Sequence, residues 1–404
     1  MRKTGWIGVG AALLCALAGC EQLQSVKAAG GPMPSEGGPY RVLEPIESGN
    51  LLLFPVVRAE GKTAGESPFI TLDEGFRSGE VEVTEAGRAA GLVRPRGGQP
   101  NPYRGDQVNT LVLVNHSKRP LLLLAGEVVT GGKQDRIIAK DRIVPADADP
   151  IDLSVFCIEP GRWTGATASF GASAGAVAKS FMVQPEVRKQ AMAAQDQTQV
   201  WNAVHGAISK MEVAAAPPAP IGGPVGGFGN GPLRTLNTTS YAKAMQDTAV
   251  SAKVDEEAAP VMQGREQVLA KLREEHAVGV VVAVRGEIIW ADLFSSTDLL
   301  ARYWTKLVRS YAAESLAEGE GRAAPSVADA QHFLNTPVTG SETSEGDVGI
   351  YRYRDLKSDH TETFVLESLL PGTRYDVHIS KMKLRGGERS VSRPRPDYLP
   401  EIIR

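Results

Sequence analysis

"LLLLAGEVVTGGKQDRIIAKDRIV", Leu121 to Val144, is the stretch on which the fold turns. It opens on an apolar run, passes through Glu127, Lys133, Gln134, Asp135 and Arg136, and becomes apolar again. Two apolar segments around a glycine pair form the pattern of an antiparallel hairpin, because adjacent glycines supply the positive φ of a two-residue turn. With Gly131-Gly132 as the turn, paired positions add to 263, so Val129 faces Gln134 and Glu127 faces Arg136. Opposed side chains lie about 5 Å apart on one sheet face, which would set this pair among Leu123, Ala125 and Ile138. A carboxylate there must be paired, and arginine offers a two-pronged donor. Two readings follow. Either Glu127 and Arg136 are a structural pair and Lys133 and Asp135 decorate the turn, or Lys133, Gln134 and Arg136 line a pocket for an anionic or carbonyl-bearing ligand.

A second cluster is "CIEPGRW", Cys157 to Trp163. Glu159, Arg162 and Trp163 follow directly on a strand, where tryptophan and arginine can build a stacking platform for a planar ligand. The structural alternative is a turn at Pro160-Gly161 with Trp163 over the core. Cys157 sits in "SVFCI" with no adjacent base and reads as a buried structural thiol. "GASAG", Gly171 to Gly175, fits the G-x-S-x-G pattern around Ser173. The "TGATASF" before it is too small and polar for the buried strand that a nucleophile elbow needs. The same segment lacks the adjacent Gly-Lys-Ser of a phosphate loop. Six scattered histidines and no Cys-x-x-Cys or His-Glu-x-x-His predict no metal site, and nothing predicts a cofactor.

These segments together carry a resemblance. "LLLLAGEVVTGGKQDRI", "FCIEPGRW", "AVGVVVAVRGEIIWADLF" and "YWTKLVRSYAAESL", in that order, resemble the ARG-and-Rhodanese-Phosphatase-superfamily-associated protein domain from about Tyr40 to Leu316. The resemblance implies one domain and no particular chemistry. It marks Glu127, Lys133, Gln134, Arg136, Glu159, Arg162 and Trp163 as motif positions. Pro160 and the Ala/Pro/Gly segment after Met211 depart from the pattern.

The N-terminus has a different character. "MRKTGWIGVGAALLCALAGC" has a basic start and an apolar run too short for a comfortable membrane span. It resembles a bacterial lipoprotein signal, with residues 1–19 removed and Cys20 acylated. Glu21 after the cysteine slightly favours the outer membrane. Several acyl chains on one residue hold a protein to a membrane where one would be marginal. The formal net charge is −3, and −5 once Arg2 and Lys3 leave with the signal. A mildly acidic chain without a basic patch is not built for nucleic acid. With Cys15 removed and Cys20 lipidated, Cys157 stands alone, so no internal disulfide can form.

Residues 20–39 read as a tether and 40–384 as one α+β domain, a largely antiparallel sheet with three or more packing helices. A Pro/Gly loop is expected at about 213–235 and a basic tail at 385–404. A helical stripe runs from Pro185 to Met211, a helical region resumes near Ser240 and is interrupted at Pro260 before ending near His276, two strands join at Arg285-Gly286, and Ser295 or Ser296 caps the helix that follows. Residues 323–347 look loose. The expected function is a membrane-anchored binding or interaction module with a small anionic ligand or a protein as partner. The alternatives are a serine hydrolase using Ser173 and a sensor of a small anion.

Overall fold

The computed structural model describes residues 39–59, 65–87, 109–161, 170, 181–216, 235–262, 265–316, 321 and 323–384. The first half is built of strands: β1 (Tyr40–Val42), β2 (Ile46–Ser48), β3 (Leu51–Arg58) and β4 (Ile70–Thr71). Helix α1 (Leu72–Ser78) interrupts them. A reciprocal capping box between Thr71 and Glu74 starts it, and Gly79 at φ 73° stops it. Then come β5 (Val81–Glu85), β6 (Thr110–Asn115), β7 (Leu121–Leu123), β8 (Val128–Val129), β9 (Arg136–Ile138), β10 (Arg142–Val144) and β11 (Ile151–Cys157).

The second half begins with helices: α2 (Pro185–Lys189), a π-helical turn over Gln190–Ala194, α3 (Gln197–Ala214), α4 (Tyr241–Gln246), α5 (Thr248–Met262) and α6 (Arg265–Glu274). Strands β12 (Ala277–Val284) and β13 (Glu287–Phe294) form the hairpin expected at Arg285-Gly286, whose φ values are 54° and 77°. Helix α7 (Thr297–Ser315) is capped by Ser296, whose side chain accepts from Leu299 N. Helix α8 (Val327–Asn335) precedes a meander of β14 (Ser341–Asp347), β15 (Tyr351–Lys357), β16 (Thr361–Ser368) and β17 (Asp376–Lys383).

The fold is α+β. Its main sheet has nine strands in the order β1-β3-β12-β13-β17-β16-β15-β14, with β2 also paired to β3, and every pairing is antiparallel. A five-stranded sheet runs β5-β6-β11-β9-β8, and a three-stranded one runs β10-β7-β4 with a parallel β4–β7 pair. Helix α7 covers one face of the main sheet. Leu300, Tyr303, Trp304, Leu307 and Tyr311 pack in one cluster with Val280, Val282, Trp290 and Phe294. Each such side chain contributes about 1.5–3 kcal/mol by leaving water. Helix α8 covers the other face, with Ala330, Phe333 and Leu334 against Phe54, Val281 and Ala291.

Three local readings change. The stripe from Pro185 to Met211 is not one helix, because the π turn and Gln195 at φ 52° divide it. Pro260 sits inside α5, which continues past it to Met262. Residues 323–347 hold α8, opened by a Ser326–Asp329 capping box, and the strand β14. The expected loop at 213–235 and the tail at 385–404 lie almost wholly outside the described residues.

Candidate functional site

The hairpin forms, in a different register. Val128 pairs with Ile137 and Val129 with Arg136, so positions add to 265, and residues 130–135 make a longer turn. Gly131 and Gly132 do take positive φ, at 120° and 53°. A Cβ on Gly132 would lie 2.2 Å from the Phe170 ring and 2.7 Å from the Glu85 carboxylate, so only glycine fits there. Glu85 Oε1 accepts from Lys133 N at 2.8 Å, which places an internal carboxylate in the turn.

The shift separates the expected pair. Arg136 lies between Val129 and Cys157. Glu127 sits beyond a turn at Gly126 (φ 86°), where a Cβ would come within 2.9 Å of Arg188. Its Oε2 accepts from Leu124 N at 2.7 Å, and its Oε1 meets Lys306 Nζ of α7 at 2.6 Å. Lys306 also bonds Asp73 at 2.8 Å. Burial alone would lower the lysine pKa, but the two carboxylates outweigh it and raise it. The partner of Glu127 is therefore Lys306, in place of the predicted Arg136.

Of the other motif residues, Gln134 and Glu159 are bonded within the fold. Gln134 Nε2 donates to Glu159 O at 3.1 Å. Glu159 accepts from Asp135 N at 3.3 Å and from Lys243 Nζ at 3.3 Å. Ser240 Oγ, which caps α4, donates to Asp135 at 2.9 Å. Lys133, Gln134, Arg136 and Glu159 thus gather around one turn facing α4. Arg162, Trp163, Ser173 and Cys20 lie outside the described residues. Cys157 is fully buried, and burial pushes its thiol up.

The densest chemistry is elsewhere, on the α7-covered face of the main sheet. Cross-strand pairing lays out three rows over β13, β17, β16 and β15: Trp290–Met382–Glu362–Lys357, Asp292–Ser380–Phe364–Asp355, and Phe294–His378–Leu366–Tyr353. Helix α2 lowers Arg188 onto this grid. Its guanidinium lies 4.8 Å from the Trp290 ring centre, bonds Asp292 at 2.8 Å and donates to Ser380 Oγ at 3.2 Å. Ser380 Oγ donates to Asp292 at 2.8 Å, and Tyr311 OH donates to it at 2.5 Å. His378 is held between carboxylates, with Nδ1 2.6 Å from Asp141 and Nε2 3.2 Å from Asp292. Asp141 also accepts from Ala125 N at 2.8 Å.

Arg188, Asp292, His378 and Asp141 are closed to solvent and set two basic side chains against two acidic ones. Burial opposes charge on His378, but Asp141 and then Asp292 raise its pKa to about 9. Burial would raise the Asp292 carboxyl, yet Arg188 and His378 hold it well below the usual range. A serine, a histidine and an aspartate meet here without the wiring of a nucleophilic triad. Ser380 donates to the aspartate, and both imidazole nitrogens face carboxylates. Among the described residues no group of three or more His, Cys, Asp or Glu is placed to hold a metal ion.

Sequence reasoning passed over Lys306, Arg188, Asp141, Asp292 and His378. The readable signal was a charge inside an apolar strand, as in "IIWADLF" and "YDVHISKM", since such a group is buried only with partners. No curated protein and no solved structure matches the chain. The model of the ARG and Rhodanese-Phosphatase-superfamily-associated Protein domain matches residues 39–382. That span takes in both small sheets, the grid and most of the main sheet, and the chain belongs to this family.

Proposed function

We propose that this chain is a lipid-anchored protein of the bacterial envelope whose domain works as a non-catalytic binding or interaction module. One observation carries the reading of the domain. The acidic residues of its hairpin and strand motifs, Glu127, Asp135, Asp141 and Glu159, are bonded to Lys306, Ser240, His378 and Lys243 within the fold. Groups engaged in this way brace the sheets against the helices and give a rigid scaffold, on which an exposed surface can meet a partner. The signal-like N-terminus and Cys20 support the anchor. Two experiments test the reading. A palmitate analogue fed to expressing cells should label the full chain, and Cys20→Ser should remove both the label and membrane sedimentation. A fluorophosphonate probe should leave the chain unmodified, and labelling lost in Ser173→Ala would install the hydrolase reading instead.

The anion-sensor reading has one observation in its favour. The glycine turn already accepts a carboxylate, that of Glu85 on Lys133 N. An external anion would compete with it. A thermal-shift screen of carboxylates and nucleotides should then give a larger response in Glu85→Gln than in the parent chain, and equal silence in both would remove this reading.

A further inference from the structure

We propose that the free edge of β14 is a homodimer interface, through which two copies join their main sheets edge to edge about a two-fold axis. The proposal deepens the interaction-module reading by naming the partner as a second copy of this chain, and it does not depend on the lipid anchor.

Strand β14 ends the nine-stranded sheet. Among the described residues only β15 pairs with it. Every residue from Ser341 to Gly346 is exposed. An edge of this length is a template for another strand unless it is blunted by charge, proline or a bulge. Charge is present, but the fold neutralises it from its own side. Glu345 bonds Lys140 at 2.5 Å, Asp347 bonds Arg142 at 3.0 Å, and Glu342 lies 4.0 Å from Arg354. What remains facing outward is a polar backbone edge with little net repulsion.

The sequence of the strand, SETSEGD, then selects the partner. A two-fold axis at Ser344 makes antiparallel neighbours of residues whose positions are symmetric about it. Ser344 meets the partner's Ser344, Thr343 meets the partner's Glu345, Glu342 meets the partner's Gly346, and Ser341 meets the partner's Asp347. No carboxylate opposes another. Two of the three face a hydroxyl that can donate to them, and the third faces a glycine. Opposed like charges destabilise a strand pair and hydroxyl partners stabilise it, so this register is self-complementary, as an isologous contact must be. Seven residues of strand edge bury less than the roughly 800 Å² per partner of a standard stable interface, so the dimer is weak and concentration-dependent.

The test uses the full chain. In the proposed register, opposed Cα atoms at Ser344 are about 4.5–5.5 Å apart, within disulfide reach. In a full-length parent carrying Cys15→Ser and Cys20→Ser, whose remaining Cys157 is buried, Ser344→Cys should therefore give a linked dimer under mild oxidation beyond the level of that parent. Val348→Cys, at the fully exposed tip of the hairpin, should not. In sedimentation velocity Ser344→Lys, which sets two ammonium groups against each other, should weaken self-association at least tenfold with an unchanged thermal melt. Three outcomes overturn the proposal: no linked dimer from Ser344→Cys, equal linkage from Val348→Cys, or identical sedimentation of Ser344→Lys and the parent chain. If residues 385–404 of the same chain cover the edge, the chain sediments as a monomer throughout and the proposal fails. Failure of the Cys20 labelling experiment would remove the anchor and leave these results unaffected.

Discussion

Glu127, at the turn after β7, and Lys306, in the middle of α7, stand 179 positions apart in the chain and bond at 2.6 Å with both side chains closed to solvent. This contact fastens the hairpin to the helix that covers the main sheet. Removing one member leaves the other charge buried without its partner, which costs about 3–5 kcal/mol. Lys306→Met should lower the stability of the chain by that amount in urea denaturation. The double variant Glu127→Leu with Lys306→Met should recover part of the loss, because Asp73 and the Leu124 amide still go without the partner they have in the parent. A single variant within about 0.5 kcal/mol of the parent, the range of ordinary surface changes, would show that the pair does not hold the two elements together.

His378 makes the stability of the chain pH-dependent on the alkaline side. Its pKa in the fold is about 9, above the ordinary 6.5, because Asp141 and Asp292 flank it against the cost of burial. The folded chain therefore binds the proton more tightly than the unfolded chain does. The stabilisation is complete below 6.5 and disappears as pH rises through about 9. Melting temperature followed from pH 6 to pH 10 should fall across that window, and the fall should be shallower in His378→Gln. Parallel curves for the two proteins would contradict the assignment.

Glu362 adds a second descent nearer neutrality. Burial first, and then the Asp355 carboxylate, raise it to about 7 from 4.5, against the pull of Lys357 at 3.2 Å. Its contribution is present below 4.5 and is lost as pH rises through 7. Between pH 5 and pH 8 the parent chain should lose stability that Glu362→Gln retains. Urea midpoints at the two pH values, measured on both proteins, decide the matter.

Gly126 should be intolerant of any side chain. It takes φ 86°, and a Cβ there would lie 2.9 Å from Arg188 Cγ. Gly126→Ala combines backbone strain of about 1–3 kcal/mol with a push on the arginine that neutralises Asp292. Its loss should exceed that of Gly79→Ala, because Gly79 has a similar φ of 73° and open space around it. Equal losses would mean that the Arg188 contact is of no consequence.

Much of the architecture was legible because local chemistry specified it. The Arg285-Gly286 turn, the Ser296 cap and the α7 stripe each rest on residues within one or two turns of one another. The hairpin was legible as a hairpin, but its register was not. The six residues 130–135 wrap around Glu85 and Phe170, which lie far away in the chain. Strands β14 and β15 were missed because their side chains are mostly polar and at least partly exposed, which removes the apolar alternation by which strands are read. The grid was missed for the opposite reason. Arg188, Asp292 and His378 are single charges on three separate elements, and only the pairing of β13 with β17, with α2 packed on them, brings the three together.

Strand β17 lies between β13 and β16, hydrogen-bonded on both sides, and it supplies His378 and Ser380. Among the described residues it is also the last strand to leave the ribosome. Until it arrives, β13 and β16 both present open borders, Asp292 lacks two of its partners, and the two parts of the main sheet cannot join. A chain cut short by translational arrest or by a premature stop before residue 376 is therefore an unfinished sheet with two adhesive margins.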